Sequence, residues 1–95
     1  MIKVVVNPKE ISIMGHAMYD AFGKDIVCAA CSSIVTTSIN GILRIDKDAI
    51  SYQQLEDGIV IHQKKEDDVT NHLLLNMIDL LKELEESYPK NISVK

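Results

Sequence analysis

The sequence predicts an α+β fold in two layers: a mostly antiparallel sheet of about four strands with two helices packed on one face. Three observations predict it. Two pairs of short apolar runs are each split by a turn signal, each pair is followed by a long stretch with apolar residues at helical spacing, and 95 residues leave room for one core. The order is therefore strand, strand, helix, strand, strand, helix, in one domain spanning residues 1–95.

Ile2 to Val6 is a β-branched run ended by Asn7-Pro8, and Ile11-Ser12-Ile13-Met14 alternates before Gly15. Together they read as a β-hairpin. From Ala17 to Lys24 the pattern lapses into a surface loop, bracketed by Gly15 and Gly23 as permissive hinge points. Asp25 can cap a helix whose first turn holds Ile26, Val27 and Cys28. At 100° per residue Val27, Ala30, Cys31, Ile34, Val35, Ser38 and Ile42 share the core face, with Cys28, Ser32 and Ile39 at its margin. The helix is rich in β-branched residues, so packing rather than propensity must hold it.

Asn40-Gly41 reads as the helix stop, before Ile42 to Ile45 and the polar Asp46, Lys47 and Asp48. Ile50 to Leu55 and Gly58 to Gln63 form a second hairpin around Glu56-Asp57-Gly58, where glycine can take a positive φ. Asp68 to Tyr88 is the clearest helix: Val69, Leu73, Met77, Leu80, Leu81, Leu84 and Tyr88 recur at helical spacing, Asp67 or Asp68 can cap it, and Pro89 lies beyond. Ile92-Ser93-Val94 can add a short terminal strand.

Composition narrows the function. A net charge of −4 with no basic patch argues against nucleic-acid binding. No stretch reads as approaching the ~18 apolar residues of a membrane span, so a cytosolic protein is expected. Two cysteines three apart make no secreted disulfide framework, and a reducing compartment leaves Cys28 and Cys31 as thiols. With no Trp, three Tyr and one Phe, the core must be aliphatic.

The chemistry converges on Cys28 and His16. A cysteine hydrolase needs a thiolate, a base within reach, and donors for the oxyanion formed when sulfur attacks a carbonyl. A thiol in the first turn of a helix meets the positive end of the backbone dipole, and the free N–H groups of that turn can serve as the oxyanion hole. His16, at the end of the second strand, can be carried beside that helix start by the loop and move the proton.

Gly15-His16-Ala17 followed by Asp25-Ile26-Val27-Cys28-Ala29-Ala30 and Ser32 closely resembles the signature of the ribosomal-processing cysteine protease family, Prp. Leu74 to Met77 and Leu84-Glu85-Glu86-Ser87-Tyr88-Pro89-Lys90 look like that family's C-terminal helix and tail, so the resemblance covers nearly the whole chain. It implies a cytosolic endopeptidase of Firmicutes and related bacteria that trims a short N-terminal extension from the twenty-seventh large-subunit ribosomal protein. It also implies a homodimer with no metal or organic cofactor. On this resemblance His16 is the base, Cys28 the nucleophile, and Ser32 lies near them. Asp25 caps the helix and anchors the loop first and orients His16 second; Asp20 is a weaker candidate for orienting it. Residues 17–24 match a segment that shifts to admit peptide, with Gly15 and Gly23 as hinges.

Cys31 departs from the family pattern, which has a small aliphatic residue there, and it creates Cys28-Ala29-Ala30-Cys31 at a helix start. That spacing suits a thiol–disulfide redox protein, but the strand order lacks the expected βαβ unit. A zinc site from His16, Cys28 and Cys31 would need His62 or His72, both far along the chain. The remaining alternative is a non-catalytic ribosome-associated binding module whose acidic surface holds a basic protein.

Overall fold

The computed structural model describes residues 1–21 and 23–95; Phe22, within the predicted loop, lies outside the described residues. The elements run β1 (Ile2–Asn7), β2 (Glu10–Met14), α1 (Ile26–Ile45), β3 (Ile50–Leu55), β4 (Gly58–Gln63), α2 (Asp68–Ser87) and β5 (Ile92–Val94). They build one five-stranded sheet in the order β3-β4-β2-β1-β5. All neighbours are antiparallel except β1 and β5, which pair in parallel with Ile2 opposite Ile92. The architecture is the expected α+β one, with the short terminal run supplying the fifth strand.

Alternation decides which sheet face is covered. Ile2 and Val4 of β1, Ile11 and Ile13 of β2, Ile50, Ile61 and Ile92 are all buried, and they merge into one core with the inner faces of both helices. Each such aliphatic side chain removed from water contributes roughly 1.5–3 kcal/mol. Among the described residues the buried core is aliphatic apart from Cys31 and Met77, as the scarcity of aromatic residues requires.

Helix α1 starts where expected. Asp25 accepts from the N–H groups of Val27 and Cys28, satisfying two of the donors that a helix start leaves open. Its end differs from the sequence reading: the helix runs through Asn40-Gly41 to Ile45 and closes on Asp46, whose N–H donates to Ile42 O at 2.9 Å. Ile42 is fully buried, and its burial outweighs the modest cost of a helical glycine. Ile39 also belongs to the core rather than its margin, while Ala30, Ile34 and Ser38 are only half covered. With twenty residues, α1 is long and apolar enough by length and composition to cross a membrane, contrary to the sequence reading. In this fold its buried residues Val27, Cys31, Val35, Ile39 and Ile42 pack into the shared core.

Helix α2 is capped by Asp67, whose carboxylate accepts from Thr70 N, and it stops before Pro89. Its inner face is turned from the predicted stripe. Thr70, Leu74, Met77, Ile78 and Leu81 are buried, whereas Val69 is 51% and Leu80 38% exposed. Apolar residues cover about half the circumference of this helix, so spacing alone leaves the centre of the inner face open and contact with α1 and β5 selects it.

The β3–β4 hairpin lies beside the end of β2, with Gly58 opposite Met14. Gly58 does not supply the positive φ expected of it; among the described residues positive φ falls at Gly15, Met18 and Gly23. Space requires it instead. A Cβ there would run into the Ile13 carbonyl oxygen and lie 2.9 Å from Met14 Cα. This close approach brings the tip of the hairpin against the segment that leaves β2.

Candidate active site

Two consecutive tethers fix the backbone around His16. Before it, Gly15 N–H donates to the Asp57 carbonyl at 2.8 Å. Gly15 has φ +94°, and a Cβ would stand 2.6 Å from Met1 O, so only glycine fits this corner. After it, Ala17 is 1% exposed, its N–H donates to Cys28 Sγ at 3.2 Å, and its carbonyl accepts from Asn91 Nδ2 at 2.9 Å. His16 is thus held at the junction of β2, the β3–β4 tip and the start of α1. Its side chain points outward, 64% exposed.

Cys28 stands in the first turn of α1 and is half-buried, while Cys31, one turn on, is 4% exposed. Burial, and then the neighbouring Cys28, push the Cys31 thiol up to about 11. Cys31 therefore remains a thiol at neutral pH, which suits a core position and disfavours a dithiol redox pair. Ser32, a helical turn beyond Cys28, is exposed on the same side.

His16, Cys28, Ser32, Asp25, Asp20, Gly15 and Gly23 all line one cleft of about 690 Å³. The site residues read from the sequence thus share one hollow. Its other walls come from β2 and from the β3–β4 hairpin, including Gln54, Glu56, Asp57 and Ile59. The last of these contributions, centred on Asp57, is not visible in the sequence, where Glu56-Asp57-Gly58 reads only as a turn.

Asp25 joins cap to loop. One carboxylate oxygen accepts from Val27 N and Cys28 N at 3.0 Å each, and the other accepts from Tyr19 N at 3.0 Å. Desolvation pushes its pKa upward, but the backbone N–H groups of Cys28, Tyr19, Asp20 and Val27 outweigh it and hold the carboxyl below its usual range. The same bonds revise the expected oxyanion hole. Val27 N and Cys28 N are occupied by Asp25, and Ala29 N donates to Asp25 O, so the first turn has spent these donors on its cap. The N–H that reaches the sulfur is that of Ala17. Asp20 accepts from its neighbour Ala21 N at 2.7 Å.

The loop is tied at its entry and open further on. Tyr19 packs edge-to-face on Tyr88, ring centroids 5.3 Å apart, while Met18 is 78% exposed with φ 59°. Gly23 has φ +85° and open space around it. No cluster of three or more His, Cys, Asp or Glu suited to a metal occurs among the described residues. His62 instead faces Glu10 at 3.6 Å, and His72 is exposed on α2.

A half-buried thiol and an imidazole lining one cleft are the pair of groups that a cysteine peptidase requires. The comparisons narrow the class: the model of the family described as Cysteine protease Prp matches residues 1–93, and the chain belongs to that family. A ribosomal processing cysteine protease Prp from Mycoplasma genitalium is 31% identical, over 99% of this chain and 94% of its own. The Staphylococcus aureus protein of the same name is 29% identical, over 87% of this chain and 81% of its own. The crystal structure of the essential S. aureus Prp with a covalently linked product peptide superposes with a TM-score of 0.89 at 25% identity, covering 99% of this chain and 95% of that one.

Proposed function

We propose that this chain is a cysteine endopeptidase, with a Cys28–His16 dyad, that removes the N-terminal extension of a large-subunit ribosomal protein precursor, the twenty-seventh of that subunit. The observation that carries the reading is the 3.2 Å contact from Ala17 N–H to Cys28 Sγ, which puts the residue next to His16 on the thiol. Family membership and relatives named ribosomal processing cysteine proteases support the substrate class. Site of action in the cytosol and a homodimeric state complete the proposal.

In this mechanism His16 takes the Cys28 proton and the sulfur attacks the scissile carbonyl. The Ala17 N–H, which donates to the sulfur, stabilises its negative charge as the proton leaves, and Ser32 lines the same cleft. His16 then gives its proton to the leaving amine, leaving a thioester on Cys28. Water, deprotonated by His16, releases the acyl fragment and restores the thiol. The cleft is lined by Asp20, Asp25, Glu56 and Asp57, with no Lys or Arg among the described lining residues, which suits a positively charged peptide.

The test compares wild-type protein with Cys28→Ala and His16→Ala on the extended precursor. Both variants should lose turnover by at least about a thousandfold, while Cys28→Ala still retains the precursor. Unchanged processing by Cys28→Ala would overturn the Cys28–His16 dyad, whereas retention of the precursor without cleavage by the wild-type protein would leave the binding module.

A further inference from the structure

We propose that Asp57, at the tip of the β3–β4 hairpin, is a positioning residue for His16. The inference rests on the reading of His16 as the base. Asp57 Oδ1 lies 3.7 Å from His16 Nε2. That is too long for a hydrogen bond and within ion-pair range, and catalytic contacts of this kind tighten when substrate binds.

The two main chains are fixed relative to each other. Asp57 O accepts from Gly15 N at 2.8 Å, one residue before the imidazole, and the next residue, Gly58, is pressed against Ile13 O and Met14. The same short segment therefore holds the backbone before His16 and offers a carboxylate to its ring. The carboxylates expected to orient the histidine are engaged elsewhere: Asp25 accepts from three backbone N–H groups and Asp20 from Ala21 N.

An imidazole that turns Nε2–H toward a carboxylate leaves Nδ1 unprotonated, and that is the nitrogen the proposed base would use to take the Cys28 proton. When Cys28 yields its proton, the resulting imidazolium is stabilised by the Asp57 charge. The side chains are 64% and 67% exposed, so water and salt weaken the pairing and its effect is modest.

The experiment measures junction-peptide cleavage by Asp57→Asn, Asp57→Ala and Asp57→Glu, alongside ¹⁵N NMR of the histidine ring nitrogens in the resting protein. Asp57→Asn and Asp57→Ala should lower kcat about two- to fivefold, the range of an exposed ion pair. KM should stay near wild type, and Asp57→Glu should recover most of the loss. The wild-type His16 ring should favour the tautomer with hydrogen on Nε2. Asp57→Ala should remove that bias while His62, paired with Glu10, and His72 keep theirs. An unchanged kcat with an unchanged tautomer ratio overturns the proposal, as does a change confined to KM, which would mark Asp57 as a substrate contact. If the wild-type protein cleaves no junction peptide, the protease reading fails separately, because the tautomer ratio decides the Asp57 assignment without turnover.

Discussion

The N–H of Ala17 donates to Cys28 Sγ across 3.2 Å, and this bond joins the end of one hairpin to the start of α1. Because Ala17 is buried and its carbonyl is held by Asn91, the thiol meets a fixed donor rather than a loop that must fold over it. Only proline would delete the amide, at the cost of refitting the backbone, but its position can be disturbed more gently. Asn91→Ala should loosen Ala17 and lower kcat/KM by about threefold, the scale of one net hydrogen bond. Steady-state cleavage kinetics check this, with circular dichroism confirming that the fold is kept.

Cys28 and Cys31 should differ sharply as thiols. Iodoacetamide labelling mapped by mass spectrometry at pH 7–8 should modify Cys28 and spare Cys31, which is buried and whose pKa is pushed up to about 11. Cys31→Ala should remain an active protease, at a cost of about 1 kcal/mol for the space left in the core. Loss of activity in Cys31→Ala with the fold intact would return attention to a two-thiol mechanism.

Asp25 ties acid stability to the site. Its carboxyl is held below the usual range, so its stabilising effect is present above the unfolded-state value near 3.8 and fades as pH falls through the lower folded-state value. Asp25→Asn should flatten the acid limb of a Tm-versus-pH curve and lower Tm at neutral pH by a few degrees. It should also reduce activity, because Tyr19 and the start of α1 lose a shared acceptor.

Gly41 and Gly58 make opposite predictions. Gly41 lies inside α1 with open space where a Cβ would go, so Gly41→Ala should stabilise the protein by about 0.5–1 kcal/mol. Gly58→Ala should cost about 1–3 kcal/mol and impair cleavage, since its Cβ would push the hairpin tip away from β2. Urea denaturation of both variants measures the pair.

These glycines also mark where the sequence is legible and where it is not. Local signals place both hairpins, the Asp25 cap and the stop at Pro89, because each is decided by a few adjacent residues. The end of α1 is not legible in the sequence because Asn40-Gly41 is a local stop signal, whereas Ile42 is drawn into a core built from distant strands. The inner face of α2 is hidden for the same reason: its apolar residues span half the circumference, and tertiary contact decides which part of that arc turns inward. Among the site residues, Cys28 and His16 stand out by type and order. Asp57 does not, since only the β2–β4 pairing carries a turn aspartate to the histidine. Nothing in its neighbourhood in the chain signals that meeting.

The most direct measurement is product mapping. Purified protein is incubated under reducing conditions at neutral pH with a peptide spanning the junction of the ribosomal precursor, and the fragments are weighed by mass spectrometry. Cleavage at a single bond by wild-type protein, absent with Cys28→Ala, is expected of a Cys28 endopeptidase. An intact peptide after incubation with folded wild-type protein, or equal cleavage by Cys28→Ala, would contradict it.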